Sequence, residues 1–231
     1  FVIRAEEFGI PQRRHRVILV GVHKDLPRGE LDVLEPSGPV LVEDVIRGLA
    51  KVRPVVSKRT DTLRDWDTAR EFGIVLGKDW LERQQSRPDH TRSGKDDEAV
   101  ERLRRWIGRA GVPIAQHEPR AHMTSDLARY AFMATVARNG YSPKVDRFPD
   151  ELKPEHKNLN GSVTPFLDRF KVQAWHRPSS TIASHISKDG HYYIHPDAQQ
   201  ARSLTVREAA RLQTFPDDYF FCGTRTMQYH Q

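Results

Sequence analysis

The chain has 231 residues, a formal net charge of +6 at pH 7 and one cysteine, Cys222. A single cysteine excludes an internal disulfide framework and a metal cage built on cysteine pairs. Because the sequence has neither the roughly 18-residue apolar run of a membrane span nor a signal-peptide pattern, we expect a cytoplasmic protein with no membrane partner.

The first 50 residues predict two strands and a helix. Phe1–Ile3 has the pattern of a short strand, and the continuous apolar run Val17–Gly21 predicts a strand buried on both faces. Because the chain opens with Phe1 and already reads as strand there, we expect it to begin inside a fold, as a processed or incomplete piece. The segment Val42–Leu49 is a short amphipathic helix candidate.

The middle of the chain alternates helix candidates with polar stretches rich in proline and arginine. Val100, Leu103 and Ile107 recur at helical spacing and predict a helix over residues 97–110. A second helix is predicted to begin at a cap on Ser125 or Asp126, to run to Arg138, and to stop at residues 139–140. Residues 141–165 contain four prolines and read as irregular.

The last third of the chain reads first as β structure and then as one helix. The β-like runs Thr181–Ile186 and His191–Ile194 flank Asp189-Gly190, which predicts a hairpin. Thr205 and Glu208 have the spacing of a capping box, so a helix should begin there and end before residues 215–216.

Arginine is concentrated in two clusters, which can neutralise phosphates and release counterions. For the second cluster a solvated helix face is an equal alternative. The clusters are Arg13, Arg14 and Arg16, and Arg102, Arg104, Arg105 and Arg109.

The first cluster belongs to a run from Phe8 to Arg16 that leads into the apolar strand. Gln12, Arg14 and Arg16 lie two residues apart, so in a strand they point to one face. Such a polar row beside a buried strand is unfavourable unless it is paired. We therefore expect it to meet a carboxylate, a phosphate or a base edge, with a structural salt-bridge row as the alternative.

Two runs resemble motifs of one enzyme family. FGIPQRRHRVILVG, residues 8–21, is similar to the eighth motif of DNA cytosine-5 methyltransferases, and residues 202–216 resemble the ninth, a capped helix ending in Gln-x-Phe-Pro. The runs occur in the family's order, separated by a long stretch where that family keeps its target-recognition domain. A weaker likeness extends through residues 177–182 and 194–196.

The resemblance implies an α/β fragment, the end of a Rossmann-like methyltransferase sheet, joined to a mixed α+β target-recognition domain. It places catalytic-domain strands in residues 1–40, the target-recognition region in 41–200, and the ninth-motif helix with the lead-in to the tenth motif in 201–231. The complete enzyme would transfer a methyl group from S-adenosylmethionine to C5 of a cytosine flipped out of duplex DNA.

The resemblance implies roles for the individual residues that match the family's motifs. Arg16 matches the arginine that holds the flipped cytosine, and Arg14 the one beside it near the nucleophile. Gln12 is expected to brace the turn and is also a candidate DNA contact. The resemblance favours residues 170–195 for base reading without singling out individual readers. The further candidate DNA contacts are Arg102, Arg104, Arg105, Arg177 and Arg202.

The departures from the family's pattern concern catalysis. The sequence contains no Pro-Cys dipeptide, no cofactor-binding Gly-rich loop and no Glu-Asn-Val run, and Cys222 lies beyond the ninth motif, where it cannot be the nucleophile. We therefore expect no cofactor-binding residues here, and duplex DNA plus a missing N-terminal catalytic portion, or a second copy, as partners. A stand-alone DNA-binding module and one subunit of a split bacterial, nucleoid-associated methyltransferase are the alternatives.

Histidine and tryptophan suggest no further site. The eleven histidines lack the spacing of a zinc site, and we expect no metal. The tryptophans are predicted to be core anchors, with stacking on an unpaired base as the alternative for one of them. They are Trp66, Trp80, Trp106 and Trp175.

These departures predict that the chain alone neither methylates DNA nor binds S-adenosylmethionine. Because the sequence lacks the nucleophile and the Gly-rich loop, calorimetric titration with the cofactor should register no binding. A low-micromolar dissociation constant would contradict the prediction.

Overall fold

A computed structural model describes residues 2–25, 34–85, 88, 96–108, 111, 113–154 and 167–231. Arg109 and the end of the helix predicted over 97–110 lie outside these ranges, as does much of 141–165. No described helix has the length and apolar character needed to cross a membrane. The regular elements are strands β1 (Val2–Arg4) and β2 (His15–Val17) and helices α1 (Val42–Ile46), α2 (Leu63–Glu82), α3 (Asp97–Ile107), α4 (Thr124–Ala137), α5 (Val206–Leu212) and α6 (Arg225–His230).

The structure has mixed α and β content with a small two-stranded sheet. Strands β1 and β2 pair antiparallel, with Val2 opposite Val17, which confirms the predicted strand at Val2 and Ile3, while Phe1 lies outside the described residues. The prediction of a strand buried on both faces at Val17–Gly21 is wrong. All of β2 is exposed, and Leu19 beyond it is 88% exposed. Because β2 ends at Val17 and pairs with one strand, no sheet encloses this run within the described ranges.

Helices α2 and α4 pack closely against each other, and glycine makes this possible. A Cβ on Gly73 would lie 2.1 Å from the carbonyl oxygen of Ala128, and one on Gly77 would lie 2.9 Å from the Thr135 side chain. A larger residue at Gly73 would therefore have to push the helices apart. Glycine lowers intrinsic helix propensity, so these two residues favour the helix pair over the isolated helix.

A first core joins the two ends of the chain. It combines Val42 and Ile46 of α1 with Val100 and Leu103 of α3 and with the apolar face of α5. The predicted helices at Val42–Leu49 and 97–110 are thus confirmed in shortened form, and the Asp96 carboxylate caps α3. This core includes residues from both sides of position 200, while the three-part division of the chain stays a prediction.

A second core surrounds α4. Helix α4 begins at Thr124, one to two residues earlier than predicted, and no side chain caps it. Instead, Asp126 pairs with Arg129 one turn later, at 2.9 Å. Helix α4 ends at Ala137, with Gly140 following at a φ of 81°, which confirms the stop predicted there.

Three tryptophans pack against apolar clusters as predicted, but Trp106 does not. Trp80, Trp175 and Trp66 each contact a core cluster. Trp106 is 55% exposed and donates its indole N–H to the carbonyl of Thr214. The core-anchor prediction is therefore wrong for this residue, which lies on the surface face of α3.

The predicted hairpin around Asp189-Gly190 is also wrong. The two segments form single 3₁₀ turns at Ser184–Ser187 and His191–Tyr193 instead of paired strands. The Asp189 carboxylate accepts the backbone N–H of His191 and pairs with Arg169 at 3.0 Å. Because the Asp189 side chain bonds the nearby backbone, this segment forms local turns instead of the hydrogen-bond ladder of a hairpin.

Helix α5 begins at the predicted capping box. Thr205 accepts the N–H of Glu208, and the Glu208 carboxylate accepts the N–H of Thr205. The same carboxylate receives two bonds from the guanidinium of Arg202, both at 2.7 Å, in a pair that is almost fully buried. All five N–H donors of Arg202 are bonded, the others to Gln200 and to the carbonyl of Ser203.

Breaking this pair should destabilise the fold strongly. Glu208→Gln would leave the Arg202 charge buried without a counter-charge, which typically costs about 3–5 kcal/mol of unfolding free energy. Urea unfolding monitored by circular dichroism measures it. Glu82→Gln, on an exposed position of α2, is the control and should change stability by less than about 0.5 kcal/mol.

The pair also fixes the sign of the pH dependence. Burial alone would raise the pKa of Glu208, but Arg202 holds that pKa well below its usual value of 4.5. A carboxyl with a depressed folded pKa adds stability above its unfolded pKa and loses it as the pH falls. Unfolding free energy should therefore fall below about pH 4.5 in the unsubstituted protein and less steeply in Glu208→Gln. Parallel curves would contradict this assignment.

Candidate nucleic-acid interface

The eighth-motif turn is bonded to a segment more than 160 residues away. The N–H of Arg13 donates to the carbonyl of Ser179 at 2.8 Å, and the N–H of Ser179 donates to the carbonyl of Pro11 at 2.9 Å. The Thr181 hydroxyl donates to the carbonyl of Arg13 at 2.5 Å. Residues 11–13 and 179–181 therefore form one surface, although their likenesses to the family come from separate parts of the sequence.

Helix α3 flanks the same turn. Gly9 has a φ of 75°, and a Cβ there would lie 3.1 Å from the Ser37 hydroxyl and 3.6 Å from a guanidinium nitrogen of Arg102. The Asp96 carboxylate at the start of α3 accepts the N–H of Gly38 at 2.8 Å. Arg102, from the second arginine cluster, is thereby placed at the turn that carries the first.

The predicted polar row at Gln12, Arg14 and Arg16 does not form one exposed face. Arg16 is exposed and donates to the carbonyl of His15 at 2.7 Å, whereas Arg14 is half-buried. Gln12 is 1% exposed, and its amide has no hydrogen-bond partner among the described residues. The burial of Gln12 contradicts a direct contact with DNA in this structure, and its role in bracing the turn stays a prediction.

The arginines of α3 divide into two environments. Arg102 and Arg105 are exposed, and Arg102 lies at the turn. Arg104 donates to the carbonyl of Asp44 at 3.2 Å and lies 3.9 Å from its carboxylate. The structure thus connects Arg104 to α1 and Arg102 to the candidate interface.

Two candidates from the last third of the chain also separate. Arg177 is half-buried and lines a cavity with Arg13 and Lys171. Arg202 is 0% exposed and fully bonded within the protein. The prediction that Arg202 contacts DNA is wrong for this structure, because DNA cannot reach a buried guanidinium.

Sequence reasoning did not single out Lys171, which adjoins the eighth-motif turn in space. Lys171 lies outside both family motifs, and its position depends on long-range backbone hydrogen bonds. No group of three or more potential metal ligands occurs in the described parts of the chain.

A cationic turn beside a separate, arginine-bearing helix is the arrangement expected of a protein that contacts a polyanion. The comparisons give the family. The sequence profile of C-5 cytosine-specific DNA methylases matches residues 1–231, so the chain belongs to that family.

Its relatives are type II methyltransferases. M.Bpa9945I of Bacillus paralicheniformis is 38% identical over 234 residues, which cover all of this chain and 46% of that protein. M.XorII of Xanthomonas oryzae pv. oryzae is 26% identical over 242 residues, all of this chain and 45% of that protein. M.AgeI of Thalassovita gelatinovora is 29% identical over 140 residues, 60% of this chain and 28% of that protein. The chain spans about half the length, or less, of these relatives.

The two environments on α3 predict different salt responses. Arg102→Gln should reduce the slope of log affinity for duplex DNA against log salt by about 0.9, the contribution of one phosphate contact. Arg104→Gln should leave the slope unchanged, because its guanidinium is held at Asp44. Both changes remove one charge, so fluorescence anisotropy titrations across salt concentrations separate local contact from net charge. If both variants kept the slope of the unsubstituted chain, α3 would be a solvated face.

Proposed function

We propose that this chain is the part of a DNA cytosine-5 methyltransferase of a modification system that engages duplex DNA and supplies arginines to the cytosine pocket. The single observation that carries the proposal is the joining of residues 11–13 to residues 179–181, with Arg102 on the flank. This arrangement joins residues of the eighth motif to the segment 179–181, and it supports the proposal that the cytosine pocket and the target-recognition region meet here. DNA bound there would meet both at once.

Arg16 and Arg14 are proposed to act on the flipped cytosine. Arg16 is exposed on β2, and its guanidinium is occupied by one backbone carbonyl, which leaves donors for a base. A fixed guanidinium at the cytosine would stabilise charge that develops on the ring during nucleophilic addition. The nucleophile would come from the portion of the enzyme that the relatives have and this chain lacks.

S-adenosylmethionine, which this family uses, does not fit the described residues. A cavity of about 950 Å³ lies between α1, α2, α4 and the segment before α5. S-adenosylmethionine carries a sulfonium cation, whereas the two carboxylates of this cavity are already paired, Asp197 with Lys51 and Glu208 with Arg202. The cavity's cationic residues are Arg47, Lys51, Lys78 and Arg138. No step of methyl transfer is therefore assigned to this chain.

Arg16→Ala tests the proposed division of labour. In the isolated chain the substitution should barely change DNA affinity, because the flipped base enters only a complete pocket. In the full-length enzyme it should lower the methylation rate by about 10²–10³, the usual effect of removing one preorganised donor. DNA binding is measured by anisotropy and methylation by transfer of a labelled methyl group.

The two readouts separate the possible roles of Arg16. An equal loss of DNA affinity in the isolated chain would mean that Arg16 contacts phosphate and that its assignment to the base is incorrect. Unchanged methylation in the full-length enzyme would remove Arg16 from the cytosine pocket. The control is Arg64→Ala, at an exposed position of the first turn of α2, which should alter neither.

A further inference from the structure

Two cavities adjoin the eighth-motif turn, and both are cationic. The larger, of about 440 Å³, is lined by Arg13, Lys171, Ser180, Thr181, Tyr192 and Tyr193. The smaller, of about 140 Å³, shares Arg13, Lys171 and Ser180 with it and adds Arg177. No carboxylate lines either cavity among the residues described.

The cations of these cavities have no carboxylate partner in the part of the chain that the structure describes. Among the described side chains, no carboxylate forms a salt bridge with Arg13, Lys171 or Arg177, whereas many other cationic residues have one. Asp168 and Asp189 lie within electrostatic range of Tyr192, but Asp189 is already paired with Arg169. A shared cavity with unneutralised arginine and lysine favours an anion.

The backbone positions of the two shared cations are fixed from both sides. The N–H of Arg13 donates to Ser179 and its carbonyl accepts the Thr181 hydroxyl. The N–H of Lys171 donates to the carbonyl of His191 at 2.8 Å, and its carbonyl accepts the N–H of Ile194 at 2.9 Å. Fixed backbones reduce the ordering that binding would require.

Gln173 connects the two sides of the rim. Its side chain is buried, its oxygen accepts both the N–H and the hydroxyl of Ser180, and its nitrogen donates to the carbonyl of Tyr192 at 2.8 Å. The cavity wall is therefore built by a buried amide. Such a wall keeps Arg13 and Lys171 facing one volume.

We infer that Arg13 and Lys171 together hold one backbone phosphate of the bound DNA strand beside the cytosine pocket. The inference rests on the proposed function and adds a subsite to it. Arg13 lies one residue from Arg14 and three from Arg16, so a phosphate in this cavity belongs to a nucleotide next to the flipped one. The contact positions the strand and carries no sequence information.

The experiment compares two double variants of this chain that remove the same charge. Arg13→Gln/Lys171→Gln alters the subsite, and Lys58→Gln/Arg64→Gln removes two exposed cations that line neither cavity. Binding of a fluorescent 30-base-pair duplex (about three helical turns) is measured by anisotropy at a series of salt concentrations. Thermal unfolding of each variant verifies that the fold is retained.

The subsite variant should lose about 0.9 from the slope of log affinity against log salt, the value for one phosphate. Because both side chains face one cavity, each single variant should lose less than the pair, and Arg13→Lys should restore the slope. The Lys58/Arg64 control should keep the slope of the unsubstituted chain.

Two further outcomes are distinguishable. Equal slopes in the two double variants, with the unsubstituted chain still binding in a salt-dependent manner, would overturn the subsite and leave the proposed function intact. An unsubstituted chain with no salt-dependent binding would overturn the proposed function, and the subsite with it.

Discussion

The buried ion pair between Arg202 and Glu208 is the interaction on which the rest of the structure depends. Removing two charges from water is strongly unfavourable, and only a fully bonded geometry offsets that penalty. Here the requirement is met, because all five donors of Arg202 are used and Glu208 also accepts the N–H of Thr205. The side-chain oxygen of Gln200 accepts from the guanidinium of Arg202 and also from the N–H of Val52. Gln200 therefore connects the ion pair to the segment between α1 and α2.

A continuous series of backbone contacts leads from this pair to the candidate interface. Ser203 forms an antiparallel bridge with Ile194, and Ile194 forms a parallel bridge with Val172. Beyond Val172, the buried Gln173 holds Ser180, and the neighbouring residue Ser179 is bridged to Gln12. The ninth-motif region therefore fixes the eighth-motif turn without touching it. Arg207 of the ninth motif is also fully buried, and its guanidinium donates to the backbone carbonyls of Ala115, Pro216 and Tyr219.

The positions of the arginines show which of them are exposed, which the net charge of the chain does not reveal. The +6 formal charge counts Arg202, Arg207 and Arg211, yet the first two are buried and the third pairs with Asp217 at 2.6 Å. Residues 202–211 thus contribute arginine to the composition and little to a DNA-facing surface. The exposed cations at the turn are Arg13 and Arg16 of the eighth motif itself, together with Arg102 and Lys171, which are distant in sequence.

The sequence predicted the elements whose signals are local. The capping box at Thr205 and Glu208 and the apolar spacing of α3 are complete within a few residues, and both were confirmed. Helix α2 was not predicted; it contains Gly73 and Gly77, which lower helix propensity and are explained only by the close approach of α4. The hairpin failed because the Asp189 side chain bonds the backbone locally.

The residues of the candidate site, like the elements of the fold, were predictable only where their signals are local in the sequence. The family motifs suggested Arg14, Arg16, Gln12 and Arg202 as candidates, and the burial of Gln12 and Arg202 depends on tertiary contacts that the motifs do not contain. Lys171 lies in the segment 170–195 that the resemblance favoured but was not singled out within it, because only its backbone bonds to His191 and Ile194 bring it to the turn.

The conformation of the candidate interface also depends on helix α4, in the middle of the chain. The hydroxyl of Tyr130 is bonded to Nδ1 of His191 at 2.7 Å, and the carbonyl of His191 accepts the N–H of Lys171. Burial lowers the pKa of the adjacent His122 to about 3, so this residue is neutral at physiological pH and adds no charge to the network. Helix α4 therefore reaches the candidate interface through the hydrogen bonds that connect Tyr130, His191 and Lys171. Because short 3₁₀ turns have little stability of their own, the segment that faces the cavities depends on this helical support for its conformation.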